Sequence, residues 1–158
     1  MHPAALSDWV PHFVRASNRL AGIDRDPTAT EISAHRGLLA ANKLRVENLE
    51  QFVRHVAGGA RLREAASDGA ACPADADLRA DLETIVEAAS ARAASPARVY
   101  RIYRLLRPFT DGNGRCARAL LMWQVMRQGP PRRGVMRAAA SARARPRTAR
   151  PLCAPAVI

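Results

Sequence analysis

The chain has 158 residues, 48% of them hydrophobic and 4% aromatic, which suits one domain with a single core. Of its 25 basic residues eight arginines lie in 127–158, where there is no acid, leaving 17 against all 14 acids in residues 1–126. The formal +11 therefore belongs mostly to the end of the chain, and the body is nearly balanced. No stretch approaches the ~20 apolar residues of a membrane span, and MHPAALSDWVPHF lacks the basic and apolar regions of a signal peptide. A soluble cytoplasmic protein is expected, and delivery to another cell as an effector stays open.

Residues 9–22, WVPHFVRASNRLAG, set Trp9, Phe13, Leu20 and Ala21 among polar positions in a loosely helical pattern that Gly22 can stop. A second helix is predicted from Thr28 or Thr30, because Thr28 and Glu31 have capping-box spacing just after Pro27. In 44–57 the apolar residues Val46, Leu49, Phe52, Val53 and Val56 make an amphipathic stripe that Gly58-Gly59 ends. From Gly58 to Asp75 the periodicity is lost, which predicts a loop with room for a short hairpin. Helical spacing returns at 78–91 through Leu78, Leu82, Ile85 and Val86.

Ser95-Pro96 supplies an N-cap with proline at the first helical position, and Val99, Ile102, Tyr103 and Leu106 form one face of the helix that follows. Pro108 disfavours helical geometry at Arg107, so that helix stops there and the loop TDGNG begins. The next helix opens near Gly114, turns Ala117, Leu120, Leu121 and Val125 inward, and closes at Gln128-Gly129. The fold class expected for residues 1–128 is all-α. Residues 129–158, rich in Arg, Ala and Pro, read as a disordered basic tail. That composition fits both a native arm and the product of a late frameshift in a GC-rich gene.

Cys72, Cys116 and Cys153 are odd in number and far apart, and His2, His12, His35 and His55 are scattered, so neither a disulfide framework nor a zinc site is indicated. The chemistry lies in LLRPFTDGNGRCAR, residues 105–118. Two glycines around Asn113, just before a helix, let backbone amides approach a ligand, and the helix N-terminus adds unpaired N–H groups and positive partial charge. Arg115 and Arg118 share a face of that helix, and two guanidinium forks beside those amides suit a di- or triphosphate. Asp111 is placed to hold Mg²⁺ between phosphates, and Phe109 to anchor the loop. A calcium loop is excluded because Met122 stands where a Glu is required, and a Walker loop because there is no GK[ST].

The stretch resembles the signature of the Fic (Fido) family, His-x-Phe-x-(Asp/Glu)-Gly-Asn-Gly-Arg-x-x-Arg, at Phe109, Asp111, Gly112, Asn113, Gly114, Arg115 and Arg118. The helix order extends the resemblance over about residues 9–128. It implies a compact helical core with a small β-hairpin flap and transfer of AMP from ATP to a protein hydroxyl. The resemblance also implies further helices after the motif helix, and as none is predicted after Gly129, Leu120, Leu121 and Trp123 are expected to lack part of their packing. It further implies that Asp111 binds Mg²⁺, that the 112–114 amides hold phosphate oxygens, and that Arg115 and Arg118 contact the polyphosphate. The implied partners are ATP, a target protein docking by strand addition at a flap within 58–75, and an antitoxin.

Two positions depart from the family. Arg107 stands in place of the histidine that takes the proton from the attacking hydroxyl, and with a pKa above about 12 an arginine is no base near neutrality. General-base assistance is typically worth about 10² to 10⁴ in rate, so transfer is expected to be impaired or lost. Ser17-Asn18-Arg19-Leu20-Ala21-Gly22 resembles the family's inhibitory helix, (Ser/Thr)-x-x-x-Glu-(Gly/Asn), with Ala21 in place of the Glu that pairs with the second motif arginine. The expectation is therefore an impaired adenylyltransferase, or an ATP-binding pseudoenzyme that acts as a protein-interaction module. Nucleic-acid binding is expected only as a non-specific effect of the tail, which has no interleaved aromatics.

Overall fold

The computed structural model describes residues 8–63 and 78–128. Among them are six α-helices: α1 (Val10–Leu20), α2 (Ala29–Ala40), α3 (Val46–Val56), α4 (Leu78–Ser90), α5 (Pro96–Leu106) and α6 (Asn113–Arg127). The region is all-α, and none of these helices is long and apolar enough to cross a membrane.

The helix ends follow the local chemistry of the sequence. Thr28 Oγ1 accepts the Glu31 amide at 3.1 Å while the Glu31 carboxylate accepts the Thr28 amide at 2.8 Å, a reciprocal capping box. Ser95 Oγ accepts the Arg98 amide at 3.3 Å, with Pro96 opening α5. α1 ends at Gly22, where φ is +77° and the Ile23 and Gly22 amides donate to the Asn18 and Arg19 carbonyls, each at 3.0 Å. That is a Schellman closure, which explains the glycine after Ala21 by backbone geometry alone.

α6 is the central element, in contact with α1, α2, α3 and α5. Cys116, Ala117, Ala119, Leu120, Met122 and Trp123 are all fully buried, so the helix is covered almost all round. This corrects the expected inward face: Leu121 and Val125 are only half-buried. It also corrects the expected packing deficit for Leu120 and Trp123, which are fully buried, while Leu121 is half-buried. Trp123 Nε1 donates to the Ala41 carbonyl at 2.8 Å, tying α6 to the end of α2.

Two other faces differ from the expected pattern. On α5, Val99 and Tyr103 are buried but Ile102 is exposed. On α1 the inward face is Val10, Phe13, Val14, Ser17 and Asn18, whereas Leu20 is half-buried and Ala21 exposed. The two buried polar residues are tolerated because each hydrogen-bonds a charged side chain: Ser17 with Arg118 and Asn18 with Glu31.

Of the expected flap, residues 64–75 lie outside the described residues. In the described part, Gly58 and Gly59 leave α3 with positive φ, and residues 61–63 run antiparallel to 108–110 through a single bridge between Leu62 and Phe109. Its hydrogen bonds, Arg63 N to Pro108 O and Thr110 N to Arg61 O, are both 2.9 Å. No strand is present among the described residues. The basic tail, residues 129–158, also lies outside them.

Candidate functional site

The loop between α5 and α6 is held from three sides. Arg107 caps α5 in a left-handed conformation, φ +46°, and its carbonyl accepts Arg63 Nε at 2.7 Å. Arg63 Nη2 also reaches the Leu106 carbonyl at 3.1 Å, so one guanidinium satisfies two exposed carbonyls of the helix end. Phe109 is buried, as its role of anchor requires. Asn113 closes the loop on it: Asn113 Nδ2 donates to Phe109 O at 2.6 Å and Phe109 N donates to Asn113 Oδ1 at 2.9 Å. The Asn113 side chain is thereby an internal clamp, and only its backbone is left for a ligand.

Gly112 precedes α6 with φ +74°, and a methyl group there would lie 2.9 Å from Ala57 Cβ and 3.3 Å from Val53 Cγ1. Both the backbone conformation and the close approach to α3 require glycine. The first amides of α6, those of Asn113, Gly114 and Arg115, have no acceptor within the helix. Asp111 Oδ1 accepts the Gly112 amide at 2.6 Å, and its side chain is 74% exposed.

The two motif arginines are both buried but differ in use. Arg115, 5% exposed, donates through Nη1 to the Val56 carbonyl and lies 3.8 Å from Glu31 and 3.7 Å from Asp111. It locks the end of α3 to α6. Arg118, 3% exposed, donates through Nε to Ser17 Oγ at 2.9 Å and through Nη2 to Ser17 O at 2.7 Å. Burial pushes its guanidinium down to about 10, an effect to which the positive charges of Arg104 and Arg115 add, so at neutral pH it remains a cation.

These residues surround a cavity of about 360 Å³ lined by Leu20, Ala21, Ile23, Arg104, Asp111, Gly112, Gly114, Arg115 and Arg118. Its volume lies at the lower end of the roughly 300–1,000 Å³ of small-molecule sites. The structure thus brings Ala21 together with the loop and both motif arginines, and Ser17 behind them. Arg107 is exposed and is not among the lining residues, and Gly22 serves the helix end.

A larger cleft of about 630 Å³ between α2 and α3 is lined by apolar and uncharged polar residues, from Ala29 and Ser33 to Gln51 and Phe52, with His55, whose Nδ1 is 2.7 Å from the Gln51 carbonyl. It has no cationic or acidic side chain among its lining residues, so the smaller cavity is where chemistry converges.

Arg104 and Glu31 are neighbours of the motif arginines whose part pattern reading passed over. Arg104 sits in the last turn of α5, a position where a cation is favoured on any helix, so its type carried no distinct signal. Glu31 reads as a capping residue but also collects Arg25 at 2.8 and 3.0 Å, Asn18 at 3.3 Å and the more distant Arg115. Burial alone would raise its carboxyl, but these partners and the Thr28 amide outweigh that and hold it at about 2. Beside it, His35 is fully enclosed between Phe13 and Phe52, and burial pushes it down to about 4, which leaves the ring neutral.

Among the described residues no group of three His, Cys, Asp or Glu side chains is arranged to hold a metal. Cys116 is enclosed, and burial pushes its thiol up to about 12, so it is inert as a nucleophile. Compared with protein-family models, curated proteins and solved structures, the chain matches none of them.

Proposed function

We propose that this chain is a Fic-type protein that binds ATP with Mg²⁺ and is impaired or inactive in AMP transfer. The observation that carries the reading is Arg118: a buried cation, held by Ser17, that lines a cavity at the N-terminus of α6 together with Ala21, the position where the inhibitory pattern has a carboxylate. A buried guanidinium without a carboxylate partner is a poor structural element but a good ligand for a phosphate.

Asp111 fits a magnesium site of the kind that uses one or two carboxylates and takes its remaining ligands from phosphates and water. It is exposed, and its Oδ2 makes only a long contact with Arg115, 3.7 Å. Bound there, Mg²⁺ would neutralise part of the phosphate charge. The amides of Gly114 and Arg115 and the Arg118 guanidinium are the groups of this chain that would orient the phosphates.

Impaired transfer follows from Arg107, which supplies no base. Its left-handed backbone is one that histidine adopts more readily than most residues, so Arg107→His is compatible with the fold. The test is calorimetric titration with ATP and Mg²⁺, followed by labelling of candidate proteins with radioactive ATP. Expected are magnesium-assisted binding by the natural chain and labelling only by Arg107→His. Vigorous labelling by the natural chain overturns the inactivity. Binding without labelling by either form favours the pseudoenzyme, in which nucleotide or flap serves recognition of a partner.

A further inference from the structure

Arg104 lies outside the motif, yet its guanidinium belongs to the cavity wall. A methyl group built on Gly114 would lie 3.0 Å from Arg104 Nη1 and 3.4 Å from Arg118 Nη1. Two guanidinium tips, one from α5 and one from α6, thus come together over the second residue of α6, where a methyl group would push the Arg104 tip back by a few tenths of an ångström. Arg118 uses Nε and Nη2 on Ser17, and its Nη1 remains directed at this point. Arg104 makes no ion pair among the described residues.

The charged residues lining the cavity are Arg104, Arg115, Arg118 and Asp111, a formal surplus of two positive charges in a partly enclosed space. Like charges brought this close repel, and a low-dielectric wall strengthens that repulsion. An anion between them would relieve that repulsion. Guanidinium pairs bind phosphate oxygens by charge-assisted, often bidentate hydrogen bonds, and in doing so take over the charge neutralisation that a divalent cation otherwise provides.

We propose that Arg104 is a ligand-binding residue, and that with Arg118 it lets this cavity hold a polyphosphate chain in the absence of a divalent cation. The proposal rests on the nucleotide-polyphosphate reading for the place of the site and extends it to a residue and a metal-independent mode.

The test is titration of the full chain with sodium tripolyphosphate and with ATP, each in EDTA and in Mg²⁺. Variants are Arg104→Gln, Arg104→Lys and, as a control for general attraction by the basic tail, the double change Arg132→Gln and Arg133→Gln. Expected is tripolyphosphate binding in EDTA that weakens about 10- to 100-fold in Arg104→Gln. Arg104→Lys, which keeps the charge but not the fork, should lose less, and the tail variant should bind as the natural chain does. Binding that strictly requires Mg²⁺, or equal losses in Arg104→Gln and the tail variant, overturns the proposal. The two readings fail separately. MgATP binding indifferent to Arg104→Gln removes Arg104 from the site and spares the nucleotide. Tripolyphosphate binding that adenosine does nothing to tighten removes the nucleotide and spares Arg104.

Discussion

Around Glu31 every positive charge meets an acceptor, whereas around Gly114 positive charges meet one another. The carboxylate of Glu31, 2% exposed, takes two hydrogen bonds from Arg25, one from Asn18 and one from the Thr28 amide, and lies within 3.8 Å of Arg115. Arg104 and Arg118 approach the same point over Gly114 with no carboxylate between them. Arg115 belongs to both regions, with the Val56 carbonyl as its hydrogen-bond acceptor. The difference separates charges that build the fold from charges left unbalanced. A balanced cluster ties α1, α2 and α6 together, and the surplus of one sign is the feature on which the proposed ligand site rests.

The largest effect is expected from breaking the balanced cluster. Glu31→Gln keeps the shape but leaves Arg115 without a buried counter-charge and weakens the capping box, for a loss of about 3–5 kcal/mol in urea unfolding. A loss below about 1 kcal/mol, the range of an exposed pair, would mean that the cluster is not structural.

The same region should make the chain acid-sensitive in two steps. His35 is held at about 4, below its ordinary 6.5, so the unfolded chain takes up the proton first. Its contribution is complete above pH 6.5 and is lost as pH falls toward 4, worth about 3 kcal/mol. Glu31 is held at about 2 against an ordinary 4.5, so its contribution is complete above pH 4.5 and is lost toward pH 2. Urea midpoints measured from pH 7 to pH 2 should therefore fall throughout, and His35→Leu should flatten the part between 6.5 and 4.5. An undiminished slope there in the variant would assign the upper step to another group.

The smallest effect should come from the unbalanced side. Arg104→Gln removes a repulsive charge and breaks no ion pair among the described residues, so stability should stay within about 0.5 kcal/mol or rise. A clear loss would show that Arg104 supports the fold and would end the contrast drawn between the two regions.

Much of the frame was legible because it depends on neighbours in the chain. Thr28 with Glu31, Ser95 with Pro96, and Gly22 after α1 act within a few residues of themselves, and α3 turned inward the stripe its spacing predicts. The central position of α6 was not legible. Its motif arginines interrupt the apolar pattern, and only the acceptors supplied by Ser17 and Val56 make their burial possible. The exposure of Ile102 was equally hidden, because a helical face has no meaning until its neighbours are placed.

For the candidate site, residue types and spacing within 107–118 determined the loop: glycine where φ is positive, asparagine to clamp Phe109 four residues before it, and an arginine at 107 that cannot act as a base. Those are short-range consequences of covalent geometry and side-chain pKa. Only the tertiary structure decided that Arg115 secures α3 while Arg118 lines the cavity, and that Ala21 and Arg104 line the same cavity. Each depends on side chains separated along the chain, and their charges acquire a partner, or a surplus, only when packing brings them within a few ångströms and excludes the water that would otherwise screen them.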